Sequence, residues 1–277
     1  MEWLTTNKIP LGPWMKAAFD WLNVNAAGFF DAISMGLQSV VDLVLYLLSA
    51  PPPLVIVALL ILLTWALQRS WGACLLTLLG SLYILNQGYW TQTLETLTLV
   101  FLSCVLSMLI AVPIGIIGAH RPAFYRALVP VLDLMQTLPA FVYLIPIIAF
   151  FGLGMVPGLI ATVIFVLPAP IRLTQLGIAA TPPALIEAAQ AFGATAFQVL
   201  WKVELPYALP QIMTGLNQAI MLSLSMVVIA SLVAADGLGV PVLRALNTVN
   251  AAMGFEAGFV IVIVAVMLAR MFERRKR

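Results

Sequence analysis

Long, nearly unbroken apolar blocks dominate this chain, and polar residues gather mainly in the short gaps between them. A bilayer core about 30 Å thick is crossed by about 20 predominantly apolar residues in a helix. Seven stretches meet or approach that length: residues 53–67, 71–87, 94–119, 127–151, 158–178, 208–234 and 255–271, the first two being short. Backbone donors and acceptors stay paired in lipid only within helices or closed barrels, so these blocks are predicted to be helices. Internal prolines such as Pro113, Pro139 and Pro146 then fall where a neighbouring helix or a water-filled passage satisfies the freed carbonyl.

The first fifty residues read differently. Residues 14–30 and 31–48 carry apolar positions interrupted by Asp20, Asn23, Asn25, Asp31, Gln38 and Asp42. In the second run Ile33, Leu37, Val40, Val41, Val44 and Leu48 recur at helical spacing, which predicts amphipathic helices lying in the membrane interface. Pro51, Pro52 and Pro53 end that run. Met1–Thr6 is not a signal peptide on this reading, since it holds Glu2, no basic n-region and no following cleavage pattern. The predicted organisation is a tail over 1–52, two preceding spans over 53–88, a core over 89–272 and a basic tail over 273–277.

Composition agrees with a lipid environment. The chain has 277 residues, 63% hydrophobic and 9% charged, with mean hydropathy +1.09, where soluble domains average about 45–50% apolar and about 25% charged. Soluble enzymes, nucleic-acid binders and disordered scaffolds are excluded on that ground. A net charge of +2 offers nothing to an anionic polymer, so no nucleic-acid partner is expected. Cys74 and Cys104 lie inside apolar runs and read as small packing residues, and a lone histidine, His120, rules out a multi-histidine metal centre. Basic residues set the orientation. With seven spans and a cytoplasmic C-terminus, the inner side holds Arg69, Arg121, Arg126, Lys202, Arg270, Arg274, Arg275, Lys276 and Arg277, against Lys8, Lys16 and Arg244 outside. Arg172 lies near the inner end of the fifth span. The N-terminus is therefore expected outside; an eighth span made from 31–48 would move only that tail inside.

The segment 181–206 is cytoplasmic by this argument yet is neither a short turn nor a charged linker. Thr181 is placed to cap a helix beginning with Pro182 and Pro183, and Gly193 to end it in a left-handed conformation. Thr195 with Gln198 forms a capping box for a second short helix. Between these signals stand Leu185, Ile186, Ala188, Ala189, Phe192, Phe197, Leu200 and Trp201. A hairpin with this much apolar surface buries it either on its own bundle or against a partner.

The residues themselves carry a resemblance. Glu187-Ala188-Ala189, then Gly193, then Val203-Glu204-Leu205-Pro206 after nine residues resembles the EAA loop of ABC-importer permeases, with Val203 in place of the usual isoleucine. Residues 132–146, Ile171-Arg172-Leu173-Thr174 and 224–231 are similar to stretches of the proline/glycine betaine (ProW-type) permeases, and the likeness runs along nearly the whole chain. That resemblance implies an all-α integral membrane protein, the transmembrane domain of a type I ABC importer. It implies translocation of quaternary ammonium osmolytes such as glycine betaine, choline or proline betaine in a bacterial inner membrane. The partners implied are two copies of an ABC ATPase subunit, a second permease copy in a homodimer, and an extracytoplasmic substrate-binding protein. No cofactor is expected on this chain; ATP and Mg would sit on the ATPase. Glu187, Ala188, Ala189, Gly193, Val203, Leu205 and Pro206 would form the ATPase-coupling site, with Pro206 fixing the start of the sixth span. The chain has no G-x-x-x-x-G-K-[ST] phosphate loop, its only lysines being Lys8, Lys16, Lys202 and Lys276, so it reads as a transport subunit and not an enzyme.

Polar residues within the blocks are candidates for the passage or gate. Asp133 and Arg172 either pair to steady an inner gate or reach the cytoplasmic interface separately. Gln136 and Tyr143, seven apart, are expected on one face of the fourth span, and Asn217, Gln218, Ser223 and Ser225 on the sixth. Such groups line a passage or pack helix on helix. Phe141, Tyr143, Phe150 and Phe151 offer aromatic faces to a quaternary ammonium ion. Two other readings stay open: a permease for another small amino acid such as methionine, and a stand-alone ion-coupled carrier. The second is opposed by the lack of a mid-membrane carboxylate pair or an inverted repeat.

Overall fold

A computed structural model describes residues 11–272, all helix and connecting turn among those residues. The masses of charge expected in the tail, Arg274, Arg275, Lys276 and Arg277, lie outside the described residues, as do Glu2 and Lys8. Two short apolar helices, α2 (Pro53–Gln68) and α3 (Trp71–Asn86), form a hairpin in which Thr64 and Thr77 hydroxyls meet at 3.2 Å. Three elements then build the centre: α4 (Trp90–His120), the pair α7 (Met155–Val166) and α8 (Pro168–Ala179), and α11 (Leu205–Ala230). A short helix, α12 (Gly239–Asn247), leads to the last long helix, α13 (Ala251–Phe272), which packs on α3 and α11.

Close approach of the central helices explains their order. A Cβ on Gly115 of α4 would lie 2.6 Å from the Thr174 Cβ and 2.9 Å from the Ile171 carbonyl oxygen on α8. Only glycine lets these backbones approach that closely, the usual device of helix association in lipid. Ala111 of α4, Ala208 and Ala219 of α11 and Ala161 of α7 are each fully buried, so small residues continue the seam. Gly258 of the last long helix, by contrast, meets nothing within 4 Å. Cys74 and Cys104 are buried and free, with the Cys104 sulfur 3.7 Å from the Ser223 hydroxyl.

The N-terminal region is one helix and not two. α1 (Leu11–Ser49) runs for 39 residues, about 58 Å at 1.5 Å per residue. Its one proline, Pro13, falls in the first turn, where it does not break the helix, and Asp20, Asn25, Asp31, Gln38 and Asp42 are exposed while Asn23 is half-buried. Val41 is buried against Leu99, Leu102, Leu159 and Val163, with Leu37 and Val44 beside it. Phe30 stacks on Phe150 with ring centroids 4.6 Å apart, and Asn23 donates to the Ala149 carbonyl at 3.1 Å.

A second difference lies in the fourth block. Residues 127–151 do not form one straight span: α5 (Pro122–Thr137) and α6 (Ala140–Phe151) meet at a bend of 97°. Leu138, which precedes Pro139, takes φ −66° and ψ 131°. The ring of a following proline pushes its predecessor out of the helical region, so the break sits where the chemistry requires it.

Candidate coupling hairpin and transmembrane polar groups

Between α8 and α11 the chain makes two short helices. α9 (Pro183–Ala191) has Pro182 as its N-cap with no side-chain cap. The Thr181 hydroxyl is buried without a partner, so the expected Thr181 cap is not made. Extended φ and ψ at Pro182 move the helix start one residue on, and Pro183 brings no N–H for a cap to bind. Gly193 closes the turn at φ +80°, the left-handed conformation that glycine alone adopts at little cost, with open space around it. The capping box forms as the spacing required. The Gln198 N–H donates to Thr195 Oγ1 at 3.4 Å, and the Thr195 N–H donates to Gln198 Oε1 at 2.9 Å. It opens α10 (Ala196–Val199), which continues through a π turn (Leu200–Glu204) straight into α11.

Pro206 therefore does not begin the span; the helical rod runs without interruption over Ala196–Val233. The π turn explains how. A proline inside an α-helix clashes with the carbonyl four residues back, here that of Lys202, and widening the turn relieves that crowding. The Leu205 N–H accordingly reaches back five residues, to the Leu200 carbonyl.

The hairpin has two unlike faces. Leu185, Phe192, Phe197 and Trp201 are exposed, Phe192 at 94%, and Phe197 and Trp201 lie with ring centroids 5.9 Å apart. Glu187 and Ala188 stand on this open side, Ala189 and Val203 are half-buried, Leu205 is half-buried and Pro206 exposed. The other face is packed: Val199 is buried, and Leu200 and Leu205 pack with Ile116, Ala119 and Ile178. Glu204, 6% exposed, accepts from His120 Nε2 at 2.9 and 3.1 Å. The sequence reading passed over this pair. Its signals were a carboxylate inside an otherwise apolar turn and a single histidine ending a span.

The transmembrane polar groups are partly brought together. Arg172 Nη2 donates to Asp133 Oδ1 at 2.6 Å, so these two residues do pair, joining α5 to α8. Gln136 and Tyr143 do not share a face, because the bend separates them; Gln136 is exposed on α5. The Tyr143 hydroxyl folds back to donate to the Met135 carbonyl, bracing the bend from the α6 side. On α11, Asn217 lines a cavity of about 440 Å³ with Ile220, Met221, Ala265 and Arg270. Ser225, about two turns beyond Asn217 and exposed, donates to the Met221 carbonyl at 3.1 Å. Ser223 is buried and accepts from Ser103 at 2.9 Å, a helix-packing contact and not a passage group. The faces of Phe150 and Phe151 are covered by Phe19 and Phe30 of α1, leaving Phe141 as the open aromatic of that group.

Comparison with known proteins agrees with this geometry. Residues 111–272 match the family model described as the binding-protein-dependent transport system inner membrane component. The chain is 45% identical over 269 residues to the glycine betaine transport system permease protein OpuAB of Bacillus subtilis, covering 97% of this chain and 95% of that one. It is 45% identical to the glycine betaine/carnitine transport permease protein GbuB of Listeria monocytogenes, covering 96% and 95%. Its identity to the glycine betaine/proline betaine transport system permease protein ProW of Escherichia coli is 42%, covering 96% and 75%. Among solved structures, an inward-facing conformation of the MetNI methionine ABC transporter superposes with a TM-score of 0.59 at 23% identity, covering 70% of this chain and 98% of that chain. The fold is that of the type I ABC importer permeases, and the chain is a multi-pass membrane protein that belongs to the family of binding-protein-dependent transport system inner membrane components.

Proposed function

We propose that this chain is the membrane permease of an ATP-driven importer for glycine betaine and related quaternary ammonium osmolytes, including choline and proline betaine. The observation that carries the reading is the hairpin over 181–206. Its aromatic face stands open on two short helices, the second opened by a capping box, while its root is locked into the central bundle. Such a surface suits a cytoplasmic ATPase subunit, which would grip Leu185, Phe192, Phe197 and Trp201, with Glu187 offering a carboxylate at the edge. Because α10, the π turn and α11 form one rod, a displacement of the gripped end moves the membrane-spanning part directly. Identity of 45% to a glycine betaine permease along 97% of the chain supports the cargo.

The assembly takes two copies of this chain, two ATPase subunits that bind ATP and Mg, and a binding protein on the outer side. Hydrolysis belongs to the partner. The membrane is a bacterial inner membrane, with the C-terminus cytoplasmic and α1 on the periplasmic side. Phe30 of α1 packs on Phe151, next to the Gly152–Gly154 turn at the end of the bundle opposite the hairpin, which supports that placement. Asp133, Gln136, Tyr143, Arg172, Asn217 and Ser225 border the passage or its gate.

The test is uptake of labelled glycine betaine and choline by vesicles holding permease, ATPase and binding protein. Uptake is expected only with ATP on the ATPase side. Transport by the permease alone, driven by an ion gradient, would overturn the proposal.

A further inference from the structure

We propose that His120 and Glu204 form a positioning clasp that fixes the rotational register of the hairpin against the cytoplasmic end of α4. The proposal rests on reading the hairpin as the ATPase dock. Glu204 closes the π turn and is buried, with Leu200 and Leu205 of its own rod and Ile116 and Ala119 of α4 close by. An apolar side chain would fill this place with no desolvation cost, and an ion pair there adds little to stability over such a residue. Buried polar pairs are best attested as devices that select one register among several.

Register is what is at stake at this point. The π turn is the single one among the described residues, and it inserts one residue, about 100° of rotation, into an otherwise α-helical rod. If the turn relaxed to α geometry, Phe197 and Trp201 would swing around the rod away from their present outward face. The Pro206 ring disfavours that relaxation from below. The clasp opposes it from the side. His120 Nε2 faces both Glu204 oxygens, at 2.9 and 3.1 Å, while Nδ1 lies 3.0 Å from the Ile116 carbonyl of its own helix. Both ring nitrogens thus meet oxygen partners, one on α4 and one on the hairpin root, and the two contacts together fix the orientation of the ring. The pair therefore joins the hairpin root to α4 at a single angular setting, and a push on the aromatic face reaches α4 as well as α11.

The experiment uses the complete transporter in proteoliposomes and reads both uptake and ATP hydrolysis. His120→Ala and Glu204→Ala are each expected to lower glycine betaine uptake about tenfold while ATP hydrolysis by the assembled complex stays within about twofold. The double variant should be no worse than the poorer single one, and Glu204→Gln, which keeps an acceptor toward His120, should recover most of the uptake. Glu204→Leu guards against simple misfolding. It should assemble with the ATPase yet hydrolyse ATP without proportionate transport. Normal uptake per ATP in Glu204→Leu, or multiplying losses in the double variant, would overturn the clasp. Failure of the unsubstituted complex to show ATP-driven uptake would instead overturn the importer reading on which it rests.

Discussion

The hairpin over 181–206 and the bent pair α5–α6 are both exposed segments that flank the same central helices, but they are held in opposite ways. The hairpin's geometry is written locally: a capping box at Thr195 and Gln198, a left-handed Gly193 and a proline just past the π turn. The bend at Leu138 also has a local cause, Pro139, yet its direction is set by tertiary contacts. Leu144 and Ile147 of α6 pack with Ala161, Met226 and Val233, and Leu132 of α5 packs with Ala111 and Ile171. A local signal thus states that a helix stops; only the neighbours state where the next one goes. The hairpin behaves as a preformed part that can pass force, and the bend as a joint whose angle depends on what surrounds it.

The strongest way to break this contrast is Gly193→Val. A β-branched residue in the left-handed region costs roughly 1–2 kcal/mol beyond glycine, and there is open space around Gly193, so strain and not collision is what the substitution adds. Since about 1.4 kcal/mol is a factor of ten in an equilibrium, ATP-driven uptake should fall roughly five- to thirtyfold while membrane insertion is unchanged. Wild-type uptake in that variant would remove the claim that the turn is preformed. Gly193→Asn, which tolerates this conformation better, should be milder.

A smaller effect is expected at the joint. Tyr143→Phe deletes the hydroxyl that donates to the Met135 carbonyl across the bend. Interhelical hydrogen bonds in membranes are worth about 0.6 kcal/mol on average, so thermal stability should drop slightly and uptake about two- to threefold. A loss as large as that of Gly193→Val would mean that the bend, and not the hairpin, is the more finely set part.

The same contrast decides what was legible in the sequence. The apolar blocks located α2, α3, α4, α7–α8, α11 and α13, because hydropathy in lipid is a length criterion that neighbours do not alter. Thr195, Gln198 and Gly193 were readable because each acts within four residues of itself. The Gln136–Tyr143 face was misread because helical periodicity was carried across Pro139. The aromatic faces of Phe150 and Phe151 were misjudged because their cover, Phe19 and Phe30, lies more than a hundred residues away in sequence. The Thr181 cap failed because two consecutive prolines shifted the helix start, and the His120–Glu204 pair was overlooked because its partners are 84 residues apart.

The smallest expected effect concerns Asp133 and Arg172, the ion pair that ties the α5 side of the joint to α8. The bond is short, 2.6 Å, but the side chains are 58% and 32% exposed, and Arg172 Nε is buried without a partner. Exposed pairs of this kind contribute about 0.2–1 kcal/mol, and salt weakens them further. A double-mutant cycle with Asp133→Asn and Arg172→Gln, read as thermal stability in detergent, should therefore give a coupling energy within that range that shrinks as ionic strength rises. Uptake in the single variants should stay within about threefold of the unsubstituted protein, since a pair worth so little can bias a gate but cannot hold one shut. A coupling energy of several kcal/mol, insensitive to salt, would show the pair to be desolvated in the working transporter. It would then be as firmly set as the hairpin, and the contrast between a rigid hairpin and a yielding joint would no longer stand.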